Sequence, residues 1–576
     1  MLSSVFLSRA AIFNVKHLMA KKSLKELFAS AKLIVLILLF CGLLSIPYLD
    51  FDRYYFTWFA FVPLLFAIEK ASLKKTYILA TIAGTMAFAS GMYWIVDFIN
   101  IAKGSSENIN VWLAFLNWVY CSQLIALVLV LFNWLRRNTS IHEFLLFPVL
   151  LASITSIYPM LFAMRLADSQ INFYVALQAT EFLGPYALDA IIALANIMIF
   201  RVMFKFSSTV AGEKKSSSLS VRFRDDSKWA WGIGGSLIAV WLGYGAEAIQ
   251  RWDVEVSNWQ TVKVGIIQPN ERPKLTAKKS IAGYSKAYPP ELDMSERLAK
   301  LNPDLIIWPE AYPKQYLNDS KIKSAYQKAV EKMSVSLMFQ DIRKVRDNQS
   351  GETLTHYNSA ILIDQKGEQV GLYDKIKRIP FGEYVPLLDE NSWLHGRIES
   401  FLGKFLTKYS KGQNHQLFEN DKLTIVPLIC YETTFPSFVA NAVSTALEQR
   451  QQNTELVNRG TMLVALSNDG WFGSTKQPYQ HVMGSILRAV ENRVTLVHVS
   501  NNGPSIVVTP QGKVVFASPL GQRGGFLVEV PVKVDSKRSF YGRYPNLFVN
   551  VLYSLLFLLI SMTALRVSRE KRSTHR

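Results

Sequence analysis

The sequence predicts a bundle of about eight membrane helices carrying one α/β domain outside the bilayer. Three features predict it: long apolar runs confined to the two ends of the chain, basic residues that alternate between successive loops, and short β-branched runs separated by helical stretches in the middle.

Half of the 576 residues are hydrophobic, but they are unevenly placed. A membrane span needs about 20 mostly apolar residues, and the runs at 33–48, 56–69, 77–98, 111–135, 144–163, 179–204, 229–247 and 546–565 are the eight candidates. The second is short. Charge orients the bundle, because cytoplasmic loops collect Lys and Arg. Residues 1–32 hold Arg9, Lys16, Lys21, Lys22, Lys25 and Lys32; Lys70, Lys74 and Lys75 follow the second run, and Arg136 and Arg137 the fourth. Arg201, Lys205, Lys214, Lys215, Arg222, Arg224 and Lys228 follow the sixth, and Arg566, Arg569, Lys571, Arg572 and Arg576 the eighth. The intervening short loops hold one basic residue each, Arg53, Lys103 and Arg165. Both termini are therefore expected in the cytoplasm and residues 248–545 outside. Much of the net charge of +19 sits in these loops, which makes it a topology signal and not a nucleic-acid footprint. The basic N-terminus before an apolar run imitates a signal peptide. No small-residue cleavage site follows Leu44, however, and the next run begins almost at once, so the first helix reads as retained.

The expected order is a basic N-terminus (1–32), a membrane domain of about seven helices (33–247), an extramembrane domain (258–530) and a final membrane helix (546–565). Within 258–530, runs such as Val262–Ile267, Leu305–Ile307, Ala360–Ile363, Leu423–Val426, Met462–Leu466 and Leu496–Val499 read as buried strands of a layered α/β domain. Of the three cysteines, Cys41 and Cys121 fall inside apolar runs and Cys430 alone lies outside. A lone external thiol has no internal disulfide partner, which leaves it core packing or chemistry.

Strand ends are where α/β folds present reacting groups, and three are chemically loaded. Leu305-Ile306-Ile307-Trp308-Pro309-Glu310 delivers a carboxylate past a proline-fixed turn, although a helix N-terminal acid would look the same. Tyr373-Asp374-Lys375 leads into a charged loop around Pro380-Phe381-Gly382-Glu383-Tyr384, which a solvated loop would also explain. Pro427-Leu428-Ile429-Cys430-Tyr431-Glu432 places the thiol at the end of an apolar strand. Together Glu310, Lys375 and Cys430 supply a base, a cation and a nucleophile.

In that chain order, within W-P-E, Y-D-K and C-Y-E, these residues are similar to the nitrilase superfamily. The stretch Lys375 to Tyr384, the Ile429-Cys430-Tyr431-Glu432 element, Ser467-Asn468-Asp469-Gly470-Trp471-Phe472-Gly473, and Leu177, Gln178, Glu181, Gly184 and Tyr186 narrow the resemblance to the bacterial apolipoprotein N-acyltransferase family. The resemblance implies a nitrilase-like αββα sandwich on the periplasmic side of the bacterial inner membrane. It implies transfer of an acyl chain from a membrane phospholipid, through a thioester, to the amine of a diacylated apolipoprotein. Glu310 would then be the base, Lys375 the oxyanion cation and Cys430 the nucleophile, with Glu383, Tyr431 and Glu432 in support. One departure is that the loop Gln268 to Leu275 lacks the tryptophan usual in the family shortly afterwards.

A thiol with an ordinary pKa near about 8.5 needs a base or a cation beside it, and Glu310 and Lys375 supply one each. Neither the His spacing nor the Cys count offers a metal site, no glycine-rich phosphate loop is present, and no cofactor is expected. In 393–409, Ile398, Phe401, Leu402, Phe405 and Leu406 share one helical face and Arg397, Lys404 and Lys408 the other, which suits either a lipid headgroup layer or packing on the domain itself. Trp471 and Phe472 read as core or as a lipid entry. Two other functions use the same sequence: a membrane-tethered amidase with water in place of the amine, and a transporter or scaffold with an inactive outer domain. The second needs interior charges, and Asp189 is the main one, since Asp97 and Glu181 lie near span ends.

Overall fold

The computed structural model describes residues 24–210, 228–271, 281–346, 353–388, 392–453, 456, 458–535 and 537–574. The basic residues before 24, those between 211 and 227, and positions 272–275 of the loop without a tryptophan lie outside the described residues.

The first half of the chain forms α1 (Leu24–Leu49), α2 (Val62–Ile68), α3 (Leu73–Gly91), α4 (Ile95–Lys103), α5 (Asn108–Asn138), α6 (Glu143–Ile157), α7 (Pro185–Val210) and α8 (Lys228–Ser257). Among the described residues five helical segments are long and apolar enough to cross a bilayer: Ser30–Leu49, Asn108–Asn138, Pro185–Ser207, Lys228–Ser257 and Leu547–Glu570. Helices α3 and α4, bent by 64° at the break between them, pass the same test only together and make a sixth if the pair is one span. The expected second span differs. Its residues divide between a 3₁₀ turn, Phe51–Trp58, and the seven-residue α2, which begins afresh around Pro63. Helix α6 has 15 residues, about 22 Å at 1.5 Å per residue.

Small residues close the bundle where lipid gives helices no hydrophobic drive to associate. Ala80, Ala83, Gly84, Ala87 and Gly91 of α3 are buried, and a Cβ on Gly84 would meet Ser122 Cβ of α5 at 2.9 Å. Two buried charges of the bundle find partners, which lowers the cost of a low-dielectric interior. Arg136 reaches Glu69 at 2.6 Å. Asp189 Oδ1 accepts the Ala167 N–H at 2.8 Å and so holds the turn Leu166–Gln170. The interior acid that a transport reading would use is thus tied to the backbone.

The middle of the chain continues as β1 (Gln260–Gln268), α9 (Pro290–Ala299), β2 (Leu305–Ile307), α10 (Ser320–Met333), β3 (Ser336–Arg346), β4 (Thr353–Ile363), β5 (Gln369–Asp374), α11 (Trp393–Leu402) and β6 (Phe418–Glu419). There follow β7 (Leu423–Ile429), α12 (Pro436–Gln452), β8 (Gly460–Ser467), α13 (Gln477–Asn492), β9 (Leu496–Ser500), β10 (Ile506–Val508), β11 (Val514–Ala517), β12 (Gly524–Val532) and α14 (Leu547–Thr574). The strands form two six-stranded sheets, β12-β1-β2-β3-β4-β5 and β11-β10-β9-β8-β7-β6. Each has three parallel strands, β1-β2-β3 and β7-β8-β9, with antiparallel strands outside them.

The two-residue period of a strand decides the layering. Ile266, Leu305, Ile307, Met338, Ala360 and Leu362 pack in one core with Ile425, Leu428 and Val464 of the other sheet. Their neighbours Ile267, Ile306, Leu337, Phe339, Ile361 and Ile363 pack instead with Leu298, Ile322 and Tyr326 of α9 and α10. Helices α12 and α13 cover the far sheet. The result is the αββα sandwich.

The expected amphipathic helix over 393–409 is shorter in the structure. Helix α11 ends at Leu402, where Gly403 takes φ +54°, and only a 3₁₀ turn to Phe405 follows. Phe401 and Phe405 therefore do not share one continuous helical face.

Candidate active site

Three strand ends from two sheets meet at one place. Glu310 follows β2, Lys375 follows β5 and Cys430 follows β7. Lys375 is 1 % exposed and Glu383 5 %, so their charges must be answered inside the protein. Lys375 Nζ donates to Glu383 Oε1 at 2.8 Å. The Ile379 N–H donates to Glu383 Oε2 at 2.8 Å, which closes the charged loop into a fixed turn. The Cys430 thiol lies within the fields of Glu310 and Lys375, and its Sγ is 3.8 Å from the Ser467 hydroxyl.

Glu432 binds the nucleophile strand to the lysine loop. Its Oε1 accepts from the Tyr373 hydroxyl at 2.7 Å and from the Ile376 and Lys377 N–H groups at 2.8 and 3.0 Å, while Oε2 accepts the Ile429 N–H at 2.8 Å. Its two oxygens thereby tie the two segments together. Tyr431 is buried edge-on against Phe435, with ring centroids 5.0 Å apart. Cys430 itself has φ +50°; a non-glycine residue held in the left-handed region stores strain that its surroundings must over-determine.

Burial shapes the charges. It pushes the Cys430 thiol up, Glu310 adds to the rise and Lys375 opposes it, so the resting sulfur is protonated. Burial likewise raises Glu310 against the pull of Lys375. It works to lower Lys375, but Glu383, Glu310 and Cys430 outweigh it and hold the ammonium raised. The arrangement keeps a permanent cation beside a protonated thiol and a carboxylate.

Sequence reading missed two members of this site. Asn358, on β4, donates to Glu310 Oε1 at 2.7 Å and to Glu383 Oε1 at 3.4 Å, and accepts from Gln340 Nε2 of β3 at 2.9 Å. Both amides sit mid-strand, Gln340 on β3 and Asn358 on β4.

The lipid-facing candidates separate. Phe472 is 7 % exposed and packs among Trp94, Phe98 and Phe162 of the membrane half, with ring centroids 5.3, 5.1 and 5.5 Å away. Phe405 stands between Phe98 and Trp471, at 5.7 and 5.5 Å. Phe401 is half exposed, with Lys103 Nζ 4.6 Å above its ring. These rings form an aromatic seam where the α/β domain meets the helices. No metal-ligand spacing is visible in the sequence, yet the fold gathers Asp469, His481 and His498 with ligand atoms within 4.8 Å of one another. Asp469 and His481 are bonded to each other at 2.7 Å and His498 Nδ1 holds Ser485 Oγ at 2.8 Å.

Comparison with known proteins covers both halves. Residues 40–198 match the family model of the apolipoprotein N-acyltransferase N-terminal domain, and residues 284–538 match that of carbon-nitrogen hydrolases. An apolipoprotein N-acyltransferase of Geobacter metallireducens is 26 % identical over 510 residues, covering 85 % of this chain and 87 % of that one. One from Rickettsia prowazekii is 25 % identical, covering 82 % and 88 %. The chain belongs to the apolipoprotein N-acyltransferase family. A solved amidase from Nesterenkonia sp. aligns with 50 % of this chain and 95 % of its own at 16 % identity and a TM-score of 0.33. Family membership also fits the joint between the halves. Gln178 and Glu181 bind Arg493, Glu181 with both carboxylate oxygens at 2.9 Å, and Gly184, at φ +74°, makes room for the Tyr541 ring.

Proposed function

We propose that this inner-membrane N-acyltransferase moves a fatty acyl chain from a phospholipid to the α-amine of a lipoprotein's N-terminal diacylglyceryl-cysteine, through a thioester on Cys430. The observation that carries the reading is the meeting of Cys430 with Glu310 and Lys375 in a domain whose Phe472 packs into the aromatic rings of the membrane half. An ester held in the bilayer reaches such a thiol without crossing much water.

In the first half-reaction Glu310 takes the Cys430 proton as sulfur attacks the ester carbonyl. The oxyanion faces Lys375, with the Tyr431 N–H as second donor, each worth roughly 3–4 kcal/mol in comparable acyl transfers. Collapse breaks the ester C–O bond, and Glu310 returns the proton to the lysophospholipid alcohol. In the second half the neutral amine attacks the thioester, Glu310 takes its proton, and the C–S bond breaks to give the amide. That proton then passes to the Cys430 thiolate, which restores the starting site. Glu383 and Asn358 hold Lys375 and Glu310 in place throughout.

The same reading places both termini in the cytoplasm and the α/β domain in the periplasm, with about eight crossings. In that count the broken α3–α4 pair, the short α6 and the 51–69 segment each contribute one.

Purified protein given a phospholipid with a labelled acyl chain, and no acceptor, tests the chemistry. A hydroxylamine-sensitive label on Cys430 is expected, with none on Cys430→Ala. Amine acylation by Cys430→Ala would overturn the reading, and release of free fatty acid with no amide once acceptor is added would favour the amidase.

A further inference from the structure

One buried acid and one nearly buried imidazole adjoin Cys430 and take no part in the chemistry above. Asp469 opens the 3₁₀ turn after β8 and is fully buried; His481 lies in the first turns of α13. His481 Nδ1 and Asp469 Oδ1 are 2.7 Å apart, and Asp469 Oδ2 accepts from Ser500 Oγ of β9 at 2.8 Å. The Ser467 hydroxyl sits between this pair and the thiol, 3.3 Å from Asp469 Oδ1, 3.4 Å from His481 Nδ1 and 3.8 Å from Cys430 Sγ. The Thr433 hydroxyl donates to the Cys430 carbonyl at 3.2 Å.

We propose that His481 is a positioning residue for Cys430, a fixed cation that cancels the Asp469 charge beside the thiol and, with Ser467, holds the left-handed backbone from which the sulfur attacks. The inference rests on Cys430 being the nucleophile.

Charge gives the geometry its consequence. The groups facing His481 are Asp469 from the turn after β8, His498 from β9 with its ring centroid 5.2 Å away, Glu310 from the end of β2, and Cys430. Burial works to lower His481, but Asp469 at 2.7 Å and the Cys430 carbonyl outweigh it and raise it. Burial, and then the His481 charge, push His498 down to about 3, so it stays neutral. Asp469 by itself raises the Cys430 thiol. The His481 cation is what keeps that acid from holding the proton on sulfur. Ser467 has one hydroxyl proton to give. It points at sulfur when Cys430 is a thiolate and is free to return to Asp469 once the thioester forms.

The test uses the full-length protein in detergent: the rate of Cys430 alkylation by iodoacetamide against pH, with the modified peptide read by mass spectrometry, alongside kcat and KM for amine acylation. His481→Asn leaves Asp469 unbalanced, so the alkylation midpoint should rise by about one pH unit, roughly a tenfold slower reaction at neutral pH. kcat should fall with KM for the acceptor nearly unchanged. In His481→Asn/Asp469→Asn the midpoint should return to within about threefold of wild type, which no simple loss of packing would produce. Should His481→Asn fail to fold, Asp469→Asn alone decides: the thiol must titrate no higher than in wild type. Superimposed profiles for wild type and His481→Asn, or a double variant as slow as the single one, would overturn the inference. Wild-type enzyme that still forms amide after complete alkylation of Cys430 would instead overturn the nucleophile assignment.

Discussion

Asn358 Nδ2 lies 2.7 Å from Glu310 Oε1 and donates to it, so the carboxylate proposed as the base is aimed by an amide two strands away in the same sheet. Asn358→Asp sets a second acid against Glu310 in a site that already raises it. The base must be ionised to work, and a like charge raises its pKa further. The acidic limb of the kcat/KM profile should therefore move up by about one pH unit, equivalent to about 1.4 kcal/mol. An unmoved limb would separate Asn358 from Glu310.

Glu432 accepts four hydrogen bonds from two segments, and Glu432→Gln turns one acceptor into a donor facing another donor. An unsatisfied buried group costs about 1–3 kcal/mol. Thermal unfolding should show a lower Tm together with a reduced kcat, because the lysine loop and the Cys430 strand lose their common brace. A variant with unchanged Tm and lowered kcat would make Glu432 a reacting group.

Phe401 and Phe405 should behave differently. Phe401 is half exposed, so Phe401→Ser should slow acylation of bilayer-embedded substrate with little change in Tm. Phe405 is wedged between Phe98 and Trp471, and Phe405→Ser should lower Tm as well, since truncating packed aromatics costs a few kcal/mol, about 3–5 when the site is fully buried. Equal Tm losses would place both in one packed face.

Reporter fusions check the topology. A fusion near residue 300 should behave as exported and one after residue 574 as cytoplasmic; the reverse at either point would invert the assignment.

Glu310, Lys375 and Cys430 were legible as candidates because each follows a short apolar run, β2 and β5 in one sheet and β7 in the other. Asn358, Ser467 and His481 were not, because what matters about them is a neighbour supplied by register and helix docking from elsewhere in the chain: Ser359 pairs with Asp374, and this puts Asn358 beside Lys375. The alternation that separates Ile306 from its neighbours Leu305 and Ile307 was visible as a run of three apolar residues, but not which core each entered. Two apolar stretches misled on length. The run at 56–69 breaks near Pro63, and that at 393–409 stops at Gly403, because backbone conformation and not hydrophobicity ends a helix there.

Arg493 carries its guanidinium to Glu181 and Gln178, and Phe472 lays its ring among Trp94, Phe98 and Phe162. An excised α/β domain would therefore bring into water a bare aromatic face, and would keep a buried arginine stripped of its acid. Removing one member of such a pair costs about 3–5 kcal/mol, a large share of what holds a domain folded. The soluble half is in this sense not a passenger on an anchor: its fold is completed by the bundle, and secretion of that half alone should yield aggregates in place of a working enzyme.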